Sequence, residues 1–289
     1  MVLYFGKNQS VLPDPQGVLL KGMIIYTLLW ISPFYSFSQI NPFTSAYNAA
    51  LLNADRFDAD ADGAIIQPSI LPDVSSPGIS ANCQSLFSGF DVFSIGLHVV
   101  SALPGNFGFG VSVVSLGNPD YRLSEYGVGV GRKLGERMGI GVSQRVLRAR
   151  VADEGRPWSG TTAVAASYDA ESWGLAFRLS GLMPWRAPAH HQSFAAHLAS
   201  YLEWASQTRM YFVLGYGDSS WEPVVGIRQK IIEKLEIFGA FQIYPARYGL
   251  GIAVPLGAGF QSVISTQFHP VLGWSPSLGV RLKRKGDGN

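Results

Sequence analysis

A few ionisable residues have the types and spacing to do chemistry. Asp58-Ala59-Asp60-Ala61-Asp62-Gly63 sets carboxylates at positions 1, 3 and 5 of a calcium loop, with Gly at 6. Position 12 is Ser69, where a bidentate Glu is needed, so Asp58, Asp60 and Asp62 are a weak calcium candidate. A solvated acidic segment explains the same run. His98, His197 and Glu203 fall on one face of the expected strands, where neighbours could bring a His and a carboxylate beside a serine for hydrolysis. The serines are scattered, and polar lining accounts for these residues equally well. His190-His191 are adjacent, project differently, and would need further partners to hold a metal. The one cysteine, Cys83, excludes a disulfide and has no nearby His to activate it. The expectation is a non-enzymatic protein with no cofactor and no firm metal site.

Composition narrows the partners. The 289 residues carry a formal net charge of +2, with 47% hydrophobic and 15% charged residues. Soluble domains usually carry about a quarter charged. The only basic run, Arg281 to Lys285, lies at the end of the chain, so no surface is indicated for neutralising nucleic-acid phosphates.

The chain starts with a targeting pattern. Lys21 precedes the apolar stretch from Met23 to Ile31, and Ser36-Phe37-Ser38-Gln39 offers a small-x-small cleavage site. Residues 1–38 read as a signal peptide, with Met23 as an alternative start. The stretch is shorter than the roughly 20 residues a spanning helix takes.

Period two then runs to the end of the chain. Phe93, Ile95, Leu97 and Val99 alternate with Ser94, Gly96 and His98; Tyr126, Val128 and Val130 alternate with glycines. Such alternation puts successive side chains on opposite faces of a strand. Counting these segments predicts an all-β, antiparallel transmembrane barrel of about 14 strands, each near the 9–11 residues that cross a bilayer. Expected strand starts are Ile79, Val92, Asn106, Tyr121, Met138, Ser159, Trp173, Ser193, Arg209, Pro223, Lys234, Arg247, Ala258 and Ser275. Every second turn is tight, and the intervening connections are often longer, as at Ala152–Ser159, Met183–Gln192 and His269–Pro276; the first and sixth of them are short, so the asymmetry is partial. Aromatics such as Tyr121, Trp158, Trp221 and Trp274 gather at strand ends, as two membrane interfaces select. One face stays nearly free of charge, which assigns His98, Arg178, His197, Glu203, Arg228 and Arg281 to the lumen. The alternation slips after Val142 and around Phe238, where a bulge is expected.

The segment ahead of the first strand, from Asn41-Pro42-Phe43 to Gln67-Pro68-Ser69, is small-residue-rich and unlike a strand. With Asn118-Pro119-Asp120-Tyr121, Glu125 to Gly135, and His269-Pro270-Val271-Leu272-Gly273, it resembles the FadL-like outer-membrane barrels, in particular the PorV/PorQ-type proteins of Bacteroidetes. Gln67-Pro68-Ser69 stands where that family has Asn-Pro-Ala; the proline matches and its neighbours differ. The resemblance implies a 14-strand barrel with an N-terminal hatch, here 39–78 before a barrel over 79–285. It implies the outer membrane of a Gram-negative bacterium and lipid as surroundings. Two roles fit: a barrel associated with type IX secretion proteins, or one passing small hydrophobic molecules. A secreted soluble β-protein, such as an adhesin, is the alternative of another class.

Overall fold

The computed structural model describes residues 45–54, 57, 61, 63–74, 76–88, 91–151, 158–185, 194–205, 207–217, 220–257 and 259–282. The expected signal peptide, Asp58, Asp60 and Asp62, and His190-His191 lie outside the described residues.

Two short helices, α1 (Ala46–Ala50) and α2 (Gly63–Ile66), and a 3-10 turn η1 (Pro68–Asp73) precede fourteen strands. These are β1 (Gly78–Leu86), β2 (Val92–Leu103), β3 (Phe107–Gly117), β4 (Tyr121–Leu134), β5 (Met138–Val151), β6 (Trp158–Asp169) and β7 (Trp173–Trp185). β8 (Ala195–Ala205), β9 (Thr208–Gly217), β10 (Ser220–Ile232), β11 (Leu235–Gln242), β12 (Arg247–Gly257), β13 (Phe260–His269) and β14 (Gly273–Leu282) complete the ring. Each strand pairs antiparallel with its chain neighbours, and β1 closes on β14 from Ser80↔Arg281 to Gln84↔Ser277. Closure removes every sheet edge, which is how strands satisfy their backbone groups in lipid. No helix among the described residues is long and apolar enough to cross a membrane; the strands do so.

The alternation read in the sequence sorts the wall into two faces. On β2, Phe93, Ile95, Leu97 and Val99 face out while Ser94, His98 and Val100 are buried inside. Ile95 and Leu250 remain 61% and 62% exposed. An apolar surface continuous around the ring suits hydrocarbon rather than water. Aromatic pairs mark both ends of the strands: Phe268 and Trp274 at 4.8 Å at one end, Tyr168 and Trp173 at 5.4 Å at the other.

No strand start differs from its expected position by more than three residues. The turn asymmetry is partial. Residues 104–106, 135–137, 170–172, 206–207, 233–234 and 258–259 form the tight-turn end. At the opposite, loop end only 87–91, 152–157 and 186–194 are longer than four residues; the expected long connection at His269–Pro276 reduces to 270–272, because pairing runs on to His269↔Gly273.

Two expected bulges are absent. Pairing is continuous from Tyr121↔Val151 to Leu134↔Met138, so Gln144 and Arg148 do face outward. Gln144 Oε1 accepts a hydrogen bond from Thr162 Oγ1 at 2.6 Å, which satisfies it on the outer face. Pairing is equally regular across Phe238, with Arg228 on one side and Gly251 on the other. Phe238 faces the lumen, where an apolar residue is accommodated because the hatch covers it. The shifts in register that do occur include two in succession between β6 and β7, around Thr162.

Candidate functional site

The lumen holds the described residues between Ser45 and Val74, and the two parts of this segment meet different walls. Ser45 caps α1 by accepting from the Asn48 amide at 3.1 Å, and the helix stops after five residues as Leu52 and Asn53 turn to positive φ. Its residues are small apart from Tyr47, so the helix lies close to β12–β14. Ser265 Oγ donates to the Ala46 carbonyl, and Gln267 Nε2 donates to the Ala49 carbonyl at 2.7 Å. A Cβ at Gly249 would stand 2.1 Å from the Ala50 carbonyl oxygen, so that wall position has to be glycine.

Tyr47 is the anchor of this part, fully buried and held on every side. Its ring lies 4.3 Å from Phe238 and 4.2 Å beneath the Arg281 guanidinium. Its hydroxyl donates to Glu236 Oε1 at 2.7 Å and accepts from Arg228 at 3.3 Å, while Arg228 Nε and Glu236 are 3.7 Å apart. Arg281 Nε donates to Gln261 at 2.6 Å. A cation over a tyrosine face and a charged acceptor on its hydroxyl each strengthen when water is excluded.

The second part is keyed by backbone. Pro68 opens η1, and Pro68, Ser69 and Leu71 are buried against the inner faces of β3–β5. A Cβ at Gly131 would stand 2.2 Å from the Pro68 carbonyl oxygen, one at Gly139 2.2 Å from the Ser69 oxygen, and one at Gly108 2.2 Å from the Leu71 carbonyl. A Cβ at Gly141 would stand 2.4 Å from the Pro68 carbonyl carbon. Gln67, fully buried, donates from Nε2 to Ser69 Oγ at 2.9 Å and to the wall carbonyls of Ala166 and Phe177 at 3.2 Å each. Lys133 and Asp73 form an ion pair at the tight-turn end.

His98, Arg178, His197, Glu203, Arg228 and Arg281 lie on the inner face of their strands, and Arg228 and Arg281 converge on Tyr47. His98 lies 3.4 Å from Asn82, Arg178 is opposite His197 in register, and Glu203 pairs with Arg209. His98 on β2 is far around the ring from His197 and Glu203 on β8, so no His–carboxylate–serine set forms from them. Among the described residues no group of three His, Cys, Asp or Glu could hold a metal. Cys83 faces outward from β1.

Sequence reasoning missed the interior's apolar character. Tyr47, Leu51, Tyr211, Val213, Val224 and Phe238 form one buried cluster inside the barrel. Water-filled barrels line their lumen with polar residues. Its one trace in the sequence is Phe238, whose wrong-face aromatic reported a covering hatch rather than a bulge.

A closed fourteen-strand wall, apolar outside and filled by an N-terminal hatch, defines a plugged transmembrane β-barrel. The solved CymD monoaromatic hydrocarbon channel shares this fold: 8% identity, a TM-score of 0.62, and coverage of 85% of this chain and 99% of that one. The Ralstonia pickettii toluene transporter TbuX aligns at 8% identity and a TM-score of 0.56, over 85% of this chain and 99% of its own. At that identity the likeness is one of fold alone. No model of a known protein family matches the chain, and no curated protein sequence does.

Proposed function

We propose that this protein is a non-enzymatic outer-membrane channel for small hydrophobic compounds, gated by its hatch, with the tight turns in the periplasm. The apolar cluster inside the lumen carries this reading. If the hatch withdraws, Tyr211, Val213, Val224 and Phe238 line a strip along which an apolar molecule avoids bulk water. The fold shared with two proteins whose names state hydrocarbon and toluene passage supports the same class of cargo. The PorV/PorQ-type, secretion-associated role stands second. It rests on the resemblance of residues 41–69, 118–135 and 269–273, and the short connections 118–120 and 270–272 give a partner protein little to grasp.

A reversible lock tests gating. A Cβ at Gly226 would lie 3.4 Å from that of Ala54, close to disulfide spacing. Ala54→Cys/Gly226→Cys in a Cys83→Ser background should slow toluene uptake by cells when oxidised and recover it on reduction. Uptake equal to that of cells lacking the protein refutes a channel; uptake indifferent to the lock refutes the hatch as its gate.

A further inference from the structure

β4 and β5 are fourteen residues long, more than the roughly 9–11 that cross a bilayer, and their loop ends extend past the apolar belt. The outer face there is basic. Arg122 and Arg150 are direct cross-strand partners, as are Ser124 and Arg148. Like charges placed directly opposite on a sheet repel. Among the described residues none of these three guanidiniums has a carboxylate partner. Together with Tyr126 they line an open cavity of about 300 Å³ on the outer wall.

Its depth in the membrane is marked by aromatics. The Arg148 guanidinium lies 5.1 Å over the Trp158 ring, and Trp158 stacks on Tyr126 at 6.2 Å. Trp and Tyr settle at the headgroup level. Below them on the same outward face come Val128, Val130 and Val142, each more than 40% exposed and suited to acyl chains. Arginines can bind phosphate bidentately, and clustered cations beside a bilayer select phosphorylated headgroups.

We propose that the groove of Arg122, Ser124, Arg148 and Arg150 binds the phosphate of a lipid headgroup in the outer leaflet, its acyl chains lying along β4 and β5. The lipid would relieve the Arg122–Arg150 repulsion and fix the protein's depth.

The full chain would be reconstituted in phosphatidylcholine nanodiscs doped with bisphosphoryl lipid A or with the same lipid dephosphorylated, and bound lipid counted by native mass spectrometry. Wild type should retain lipid A on the order of tenfold better than R122Q/R148Q/R150Q, and better than it retains the dephosphorylated form. An unshifted heat-modifiable gel band for the variant shows that its barrel is intact. Equal retention by wild type and variant, or of both lipids, overturns the proposal. So does displacement of lipid A by millimolar inorganic phosphate, which would make the groove a site for the free anion.

Discussion

The two parts of the hatch solve one packing problem in opposite ways. Residues 45–54 are held by side chains: one buried aromatic, Tyr47, gathers Arg228, Glu236, Phe238 and Arg281 from three strands. Residues 67–73 are held by backbone, pressed against a wall from which side chains have been removed at Gly108, Gly131, Gly139 and Gly141. A side-chain anchor concentrates its energy in one residue and can be withdrawn whole. A backbone seat spreads contact over many atoms at van der Waals distance, and its geometry tolerates no added atoms. The first part is therefore the better placed to move and the second to stay.

Tyr47→Ala should have the largest effect. Truncating a buried aromatic costs about 3–5 kcal/mol, and here it also leaves Arg228 and Glu236 without the hydroxyl they share. Native-state hydrogen exchange reads it at the Leu51 amide, which donates to the Tyr47 carbonyl, and at the Ile70 amide, which donates to that of Gln67. Protection should fall at Leu51 and hold at Ile70. An equal fall at both would mean that the hatch opens as one body, and the contrast between its parts would be lost.

Next in size is Gly141→Val. Its Cβ would meet the Pro68 carbonyl carbon at 2.4 Å, and overpacking of this kind costs about 1–3 kcal/mol. Protection should fall at Ile70 first, the mirror image of Tyr47→Ala. Gly249→Val, against the Ala50 carbonyl, is the control on the other wall and should act at Leu51.

These two classes of residue were unequally legible in the sequence. Alternation gave the strands, since a period-two apolar face is a local property, and starts such as Val92, Tyr121, Met138, Trp173 and Arg247 fall where it places them. The inward set of a strand follows from its parity, so Arg228 and Arg281 could be assigned to the lumen. That both turn to Tyr47 could not be read, because it depends on where the hatch sits. The wall glycines looked alike as small lumen residues; only the fold separates those that face a carbonyl from those that face open space, such as Gly135. The outward arginines of β4 and β5 escaped for another reason. Alternation does not say where a strand leaves the membrane, so Arg148 and Arg150 read as a break in pattern when they are its continuation beyond the belt.

A smaller effect is expected at Gln67. Gln67→Leu keeps the volume roughly and removes the donor to Ser69, Ala166 and Phe177, a loss of about 1 kcal/mol for hydrogen bonds of this kind. Exchange at Ile70 should quicken modestly while heat-modifiability is kept. No change at all would mean that the glycine seat alone positions η1.

The smallest effect belongs to Lys133 and Asp73, the one ion pair between η1 and the wall among the described residues. Both side chains keep about a quarter to a third of their exposure, 32% and 27%, at the tight-turn end. Solvent screens such a pair, and exposed pairs are worth about 0–1 kcal/mol. Lys133→Met should shift Ile70 protection by a few tenths of a kcal/mol, and the difference from wild type should vanish in molar salt, where the Debye length falls to about 3 Å. A large, salt-insensitive loss would relocate the strength of the second part from its backbone seat to this pair. The contrast with Tyr47 would then become one between two side-chain anchors rather than between an anchor and a fitted surface.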